Sequence, residues 1–92
     1  MMESMESMEE IKQIAQNVIL EVLPNITSDD LQDDSDLFNL GLDSITAMSM
    51  VLSLQETFGV MFDTNDINFE NFRTLANIVE LIKTKKDTYA SV

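Results

Sequence analysis

The chain has 92 residues with no Cys, His or Trp, and its 17 acidic against 5 basic residues leave a net charge of −12. That length supports a single core burying only about 60–65% of the unfolded surface. The missing Cys and His exclude a disulfide framework, a thiolate nucleophile, a Cys-based zinc site and the commonest general base. The acidity disfavours nucleic acid and anionic lipid, so no nucleic-acid partner and no membrane insertion are expected, and a partner recognised electrostatically should present basic protein surface. At 45% hydrophobic residues the chain is too apolar for a disordered acidic tail, and its apolar stretches are too short to span a bilayer. The opening Met-Met-Glu-Ser lacks a basic region followed by an apolar run, so no signal peptide is expected and the cytoplasm is the expected compartment.

Met2-Glu3-Ser4, Met5-Glu6-Ser7 and Met8-Glu9-Glu10 make a small repeat, too short to be a solenoid unit, and residues 1–6 are expected to be a flexible lead-in. Ser7 and Glu10 have the spacing of a capping box, with Glu9 and Glu10 at the positive end of the helix that follows. Ile11, Ile14, Ala15, Val18, Ile19 and Val22 recur at helical spacing, and Pro24 ends the helix. Residues 24–43 hold six aspartates with neither helical nor alternating pattern, and predict a long ordered loop. Loops of this length are usually functional. Its apolar segment Leu37-Phe38-Asn39-Leu40-Gly41-Leu42 should fold back onto the core, and Gly41 is a candidate for a backbone conformation other residues disfavour.

The second helix is predicted over 44–58, with Asp43 as N-cap and Gly59 as its stop. A short helical turn is expected over 64–68, capped by Thr64 and anchored by Ile67 and Phe69. The last helix carries Phe72, Leu75, Ala76, Val79 and Ile82 on one face. It should end in Lys83, Lys85 and Lys86, cations at the negative end of its dipole. Residues 87–92 are expected to be a flexible tail. The fold class is therefore all-α: a four-helix bundle of three long helices and one short third helix, with a long ordered loop between the first and second, occupying 7–86.

The second helix has more apolar residues than one face can hold. Ala47, Met50, Val51, Leu54 and Phe58 form one stripe at spacings of three and four; Ile45, Met48 and Leu52 form a neighbouring one. Either the helix is central and buried nearly all round, or the second stripe is an exposed docking surface on which Met48 supplies an adaptable contact. Ser44 sits in the first turn behind an aspartate. Its hydroxyl could simply contribute to the N-cap, or could carry a phosphate ester, which the N–H groups and dipole of that helix end would accommodate.

Gly41-Leu42-Asp43-Ser44-Ile45 resembles the signature of the acyl carrier protein and peptidyl carrier protein family, an apolar–Gly–apolar–Asp–Ser–Leu/Ile motif opening the second helix of a four-helix bundle. The resemblance extends over 7–86, including Leu37-Phe38, Glu56-Thr57-Phe58-Gly59 and Phe72-Arg73-Thr74-Leu75-Ala76. It implies that Ser44 is esterified by 4′-phosphopantetheine from coenzyme A. A phosphopantetheinyl transferase with Mg²⁺ would supply the catalysis, Asp43 would help position that enzyme, and the carrier itself would not be an enzyme. The terminal thiol of the arm would hold acyl groups as thioesters and present them to loading, condensing and processing enzymes of fatty-acid, specialised lipid or polyketide biosynthesis. An amino-acid or peptidyl carrier of the same fold is the alternative. By the same resemblance Ile45, Met48, Leu52 and Glu56 would be docking contacts. Val51, Leu54, Phe58, Ile67 and Ala76 are candidate walls of an acyl pocket, or plain core. No metal site is expected, and the carrier is expected to be a free-standing monomer.

One departure from the family is informative. Carriers of bacterial fatty-acid synthesis typically have acidic residues in the first turns of this helix, whereas here Thr46, Ala47, Met48 and Ser49 follow Ile45. Residues 1–43 hold 11 acids against Lys12, leaving −2 for residues 44–92. Docking should be more hydrophobic than usual, which favours a dedicated carrier in a specialised pathway, or one loaded with an amino acid. Two other classes compete. A calcium-binding loop starting at Asp63 fails at Ile67, Asn68 and Thr74, the fifth, sixth and twelfth positions. An unmodified helical adaptor binding through Ile45, Met48 and Leu52 is weakened by the intact Asp43-Ser44 pair.

Overall fold

A computed structural model of the chain describes residues 8–90. Three helices run in order, α1 (Met8–Val22), α2 (Ser44–Phe58) and α3 (Leu75–Ala90), and α1 packs against both of the others. Among the described residues every buried side chain of the core is apolar, so the interior holds no polar side chain in need of a partner.

The α1 stripe packs as its spacing demands: Ile11, Ala15, Val18 and Ile19 are buried, with Ile14 and Val22 partly so. The expected cap at Ser7 and the 1–6 lead-in lie outside the described residues. Pro24 disfavours helical backbone at Leu23, and the helix stops at Val22, with Leu23 N–H still reaching the Ile19 carbonyl at 2.9 Å.

The acidic connection is ordered by insertion and by ties. Leu31, Leu37 and Leu42 are buried in the core, and Gly41 adopts φ +115°, a region closed to most side chains. The Asp33 carbonyl accepts the Ala76 N–H at 3.0 Å, and Leu37 N–H donates to the Arg73 carbonyl at 2.8 Å. The first of these satisfies one of the donors that a helix start leaves without an intrahelical acceptor. Lys12 of α1 pairs with Asp33 at 2.9 Å, a contact that raises the lysine pKa. The loop thereby ties the start of α3 to α1.

Among the described residues the expected short third helix is not present. Residues 63–71 are a string of turns, with Asp66 N–H bonded to the Asp63 carbonyl at 2.9 Å and Ile67 N–H to the Thr64 carbonyl at 3.3 Å. Side chains take the backbone groups that a helix would use. Asp66 Oδ2 accepts the Asp63 N–H at 2.7 Å, Asn68 Oδ1 accepts the Asn71 N–H at 2.8 Å, and the Asn68 amide donates to the Asn65 carbonyl at 2.9 Å. Asp and Asn compete with helix in this way wherever they cluster. Asp66, rather than Thr64, supplies the side-chain acceptor at the start of these turns.

The last helix differs from expectation at both ends. Thr74 caps its start, its hydroxyl accepting the Asn77 N–H at 3.1 Å. Leu75, Ile78, Val79 and Ile82 face the core, whereas Ala76 is exposed. The helix continues to Ala90, so Lys83, Lys85 and Lys86 do not occupy its last turn, and residues 87–90 are helical where a flexible tail was expected. The lysines reach elsewhere: Lys83 to Asp87 at 2.8 Å, Lys85 to Asp66 at 2.6 Å, and Lys86 to the Phe58 carbonyl at 3.4 Å. Lys86 thus sits at the negative end of α2 instead of its own helix. Phe62, just after α2, and Phe72, just before α3, meet edge to face with ring centroids 5.6 Å apart.

Candidate functional site at the start of the second helix

Helix α2 begins and ends where its caps are. Asp43 is extended (φ −130°, ψ −174°) and Gly59 is left-handed (φ 67°, ψ 36°). Asp43 Oδ1 accepts the N–H groups of Ile45 at 3.0 Å and Thr46 at 2.9 Å. The Thr46 hydroxyl accepts the Asp43 N–H at 2.8 Å and donates to Oδ1 at 2.9 Å, closing a reciprocal capping box with Thr in the place usually held by Glu or Gln. These donors, the Thr46 N–H foremost and then its hydroxyl, hold the Asp43 carboxyl below the usual aspartate range. A carboxylate stabilised in this way is a poor proton acceptor. Asp43 therefore fixes the first turn of α2, with its oxygen directed to Ile45 and Thr46. Ser44, the next residue, is exposed on that turn.

Below Ser44 the two stripes of α2 separate. Met50, Val51, Leu54 and Phe58 are buried, while Ile45 is 79% exposed, Met48 53% and Leu52 59%. The helix is not buried all round. Glu56 is exposed one turn beyond Leu52, and with Leu52, Gln55 and Gly59 it borders a shallow depression closed by Met61. Met61 was not singled out from sequence, yet Val60 and Phe62 are buried and Met61 is exposed, the period of two of extended chain. The segment is held to α2 by the Phe62 N–H, which donates to Gln55 Oε1 at 2.9 Å.

On the other side of Ser44 lies an open groove of about 320 Å³, whose walls include Ala47, Met48 and Val51 of α2 and Phe38, Ile67, Asn68, Phe69 and Phe72 from the connections. Phe38 and Phe69 stack with centroids 4.7 Å apart. The Arg73 guanidinium lies 5.7 Å from the Phe69 ring centroid, while its Nε is 3.4 Å from Asp36. Of the five candidate pocket residues, Val51 and Ile67 line this groove. Leu54 and Phe58 are buried in the core, because they continue the inward-packing stripe of Met50 at spacings of four. Ala76 borders a separate depression with Lys12 and Asp33, because the face of α3 that packs inward is set by Ile78. The aromatic walls were missed as a set: Phe38 and Phe69 are far apart in sequence, and only the folding of two connections onto each other joins them.

Residues 9–82 match the family model described as a phosphopantetheine attachment site. The chain belongs to this family. Its cofactor is a covalently attached 4′-phosphopantetheine, and members of this family act as carriers of acyl or aminoacyl groups on that arm. The attachment-site domain is similar to the D-alanyl carrier protein of Lactobacillus delbrueckii subsp. bulgaricus, 33% identical over 75 residues that cover 78% of this chain and 94% of the relative. In fold it is similar to a chain in the crystal structure of Bradyrhizobium japonicum glycine:[carrier protein] ligase complexed with glycylated carrier protein (TM-score 0.68, 21% identity, 78% of this chain and 96% of that one). It is also similar to an HMG-ACPI domain of the CurA module from Lyngbya majuscula (TM-score 0.67, 20% identity, 94% and 90%). The residues at the start of α2 fit such a group: an exposed hydroxyl stands at the positive end of a helix, where a phosphodiester is favoured, and opens onto a largely apolar groove. Among the described residues no helix is long and apolar enough to cross a membrane, and no group of three or more acidic side chains is disposed to hold a metal ion.

Proposed function

We propose that Ser44 is the attachment residue, and that this carrier bears an aminoacyl or short acyl group as a thioester, loaded by a separate ligase and passed to separate partner enzymes. The observation that carries the reading is Ser44 itself, exposed in the first turn of α2 beside an aspartate whose carboxylate is directed to Ile45 and Thr46. Such a serine is accessible but not activated by its own chain. The activating base and Mg²⁺ then belong to a phosphopantetheinyl transferase, and the carrier is not an enzyme. When bound, the arm supplies the thiol that this Cys-free chain lacks. The chain's own residues do the rest: Asp43 and Thr46 hold the helix start, the groove shelters the attachment point, and Ile45, Met48, Leu52 and Glu56 meet partners, with Met61 extending that surface. The carrier acts as a cytoplasmic monomer among these enzymes.

Small cargo is favoured by Leu54 and Phe58 filling the interior and by the similarity to a D-alanyl carrier protein. A longer acyl chain of fatty-acid, specialised lipid or polyketide synthesis is the second reading, and the largely apolar lining of the groove is what favours it. The test starts from apo-protein with coenzyme A, Mg²⁺ and a promiscuous phosphopantetheinyl transferase, read by intact mass. One added phosphopantetheine is expected, and none on Ser44→Ala. An equal gain on Ser44→Ala would remove the assignment. Holo-protein offered to an amino-acid–carrier protein ligase with ATP and glycine or D-alanine should gain one aminoacyl mass. Loading only by a fatty-acyl ligase would select the second reading.

A further inference from the structure

The groove wall opposite α2 is built by residues with no helix to hold them. Ile67 and Phe69 are 41% and 56% exposed, and the turns that carry them make only short-range backbone bonds. What reaches this stretch from outside is a set of side chains. Among the described residues, its ion pairs both go to Lys85 of α3, at 3.4 Å to Asp63 and 2.6 Å to Asp66. The Lys85 side chain is only 16% exposed and that of Asp66 20%, so solvent screens this contact less than an ordinary surface pair. Asp66 raises the Lys85 pKa and Lys85 lowers that of Asp66. From Asp66 a relay of hydrogen bonds leads to the groove. The Asp66 carbonyl accepts the Asn71 side-chain amide at 2.9 Å. The Asn71 N–H in turn donates to Asn68 Oδ1 at 2.8 Å, and Asn68 lines the groove beside Ser44. A second tie, from the Asn77 amide to the Glu70 carbonyl at 2.9 Å, holds the far end.

We infer that Lys85 and Asp66 are positioning residues for the groove: their ion pair, anchored on α3, sets how closely Ile67, Asn68 and Phe69 stand to the first turn of α2. Its bearing on cargo rests on Ser44 being the attachment residue. The pair acts at a distance from Ser44, through Asn71 and Asn68. It is specific to the 63–71 stretch, because Lys83 on the same helix pairs locally with Asp87 and Lys86 reaches Phe58.

The test is amide hydrogen exchange on the full chain, in apo form, for wild type, Lys85→Gln, Lys85→Arg, Asp66→Asn and Lys83→Gln. Loss of a charge-assisted contact should speed exchange over 63–71 by about tenfold in Lys85→Gln and Asp66→Asn, with α1 and α2 unchanged. Lys85→Arg should restore most of the protection, and Lys83→Gln should leave it intact. Should Lys85→Gln fail to fold, Asp66→Asn carries the test, since its amide oxygen can still accept the Asp63 N–H. Unchanged exchange over 63–71, or equal acceleration in every helix, would overturn the positioning role. In holo-protein, whose arm is first verified by mass, attachment should shift the Asn68 and Phe69 amide resonances in wild type and shift them less in Lys85→Gln. Equal shifts in both would remove the link to the groove while leaving the attachment residue established.

Discussion

Met48→Glu separates the two faces of α2 more sharply than any other single change. Met48 is 53% exposed, so in the free protein the substitution exchanges one good helix former for another and gives up the half of the side chain that is buried, which should cost about 1 kcal/mol. Docking is different. Full burial of a Met side chain is worth about 1.5–3 kcal/mol, so the half still to be buried against a partner contributes about 1 kcal/mol. A carboxylate forced into that contact adds a desolvation cost of at least about 1–3 kcal/mol, which a basic partner surface would partly offset. The expected loss in kcat/KM for phosphopantetheinylation is therefore roughly 10- to 100-fold. Leu54→Ala is the counterpart: at 0% exposure it should cost about 2–5 kcal/mol and lower Tm by about 10 °C or more, without a direct effect on loading of the folded fraction. Transferase kinetics and thermal melts by circular dichroism read both quantities. If Met48→Glu melts as early as Leu54→Ala, Met48 belongs to the core. If it stays stable and loads at the wild-type rate, the Ile45–Met48–Leu52 stripe is not a docking surface for that enzyme.

Gly41→Ala should destabilise by about 1–3 kcal/mol through its φ of +115° alone, since an added Cβ would meet nothing closer than Leu23 Cδ2 at 4.0 Å; an unchanged urea midpoint would contradict this. The lowered pKa of Asp43 gives a signed pH dependence. A carboxyl depressed in the folded state stabilises above its unfolded pKa of about 3.9, and that stabilisation is lost as pH falls through the lower folded value. The Thr46 amide resonance should consequently titrate below the usual aspartate range, and a midpoint at or above it would show that the cap does not hold the charge.

The boundaries of α2 were legible residue by residue because caps are local: an aspartate that can accept two N–H groups and a glycine that can turn left-handed need no tertiary help. The same locality explains why the Asp43-Ser44-Ile45 motif, and with it the family, could be read before any fold was known. Thr46 was the missed local signal, since its hydroxyl closes the capping box that Glu or Gln usually closes.

Periodicity, by contrast, separates two stripes without saying which one is wet. That Ile45, Met48 and Leu52 face solvent while Met50, Val51 and Leu54 do not was decided by what packs on α2, which is α1 and, beside Val51, the rings of the connections. The same reason put Ile78 inside and Ala76 outside on α3. The expected third helix gave way to turns in which Asp66 and Asn68 bond neighbouring backbone groups with their side chains, and Lys85 reaches those turns from α3. The lysines themselves illustrate the division. Their clustering near the end of the chain is a property of the sequence, but which carboxylate or carbonyl each one reaches, from Asp66 to Phe58, depends on segments that only the folded chain brings within hydrogen-bonding distance.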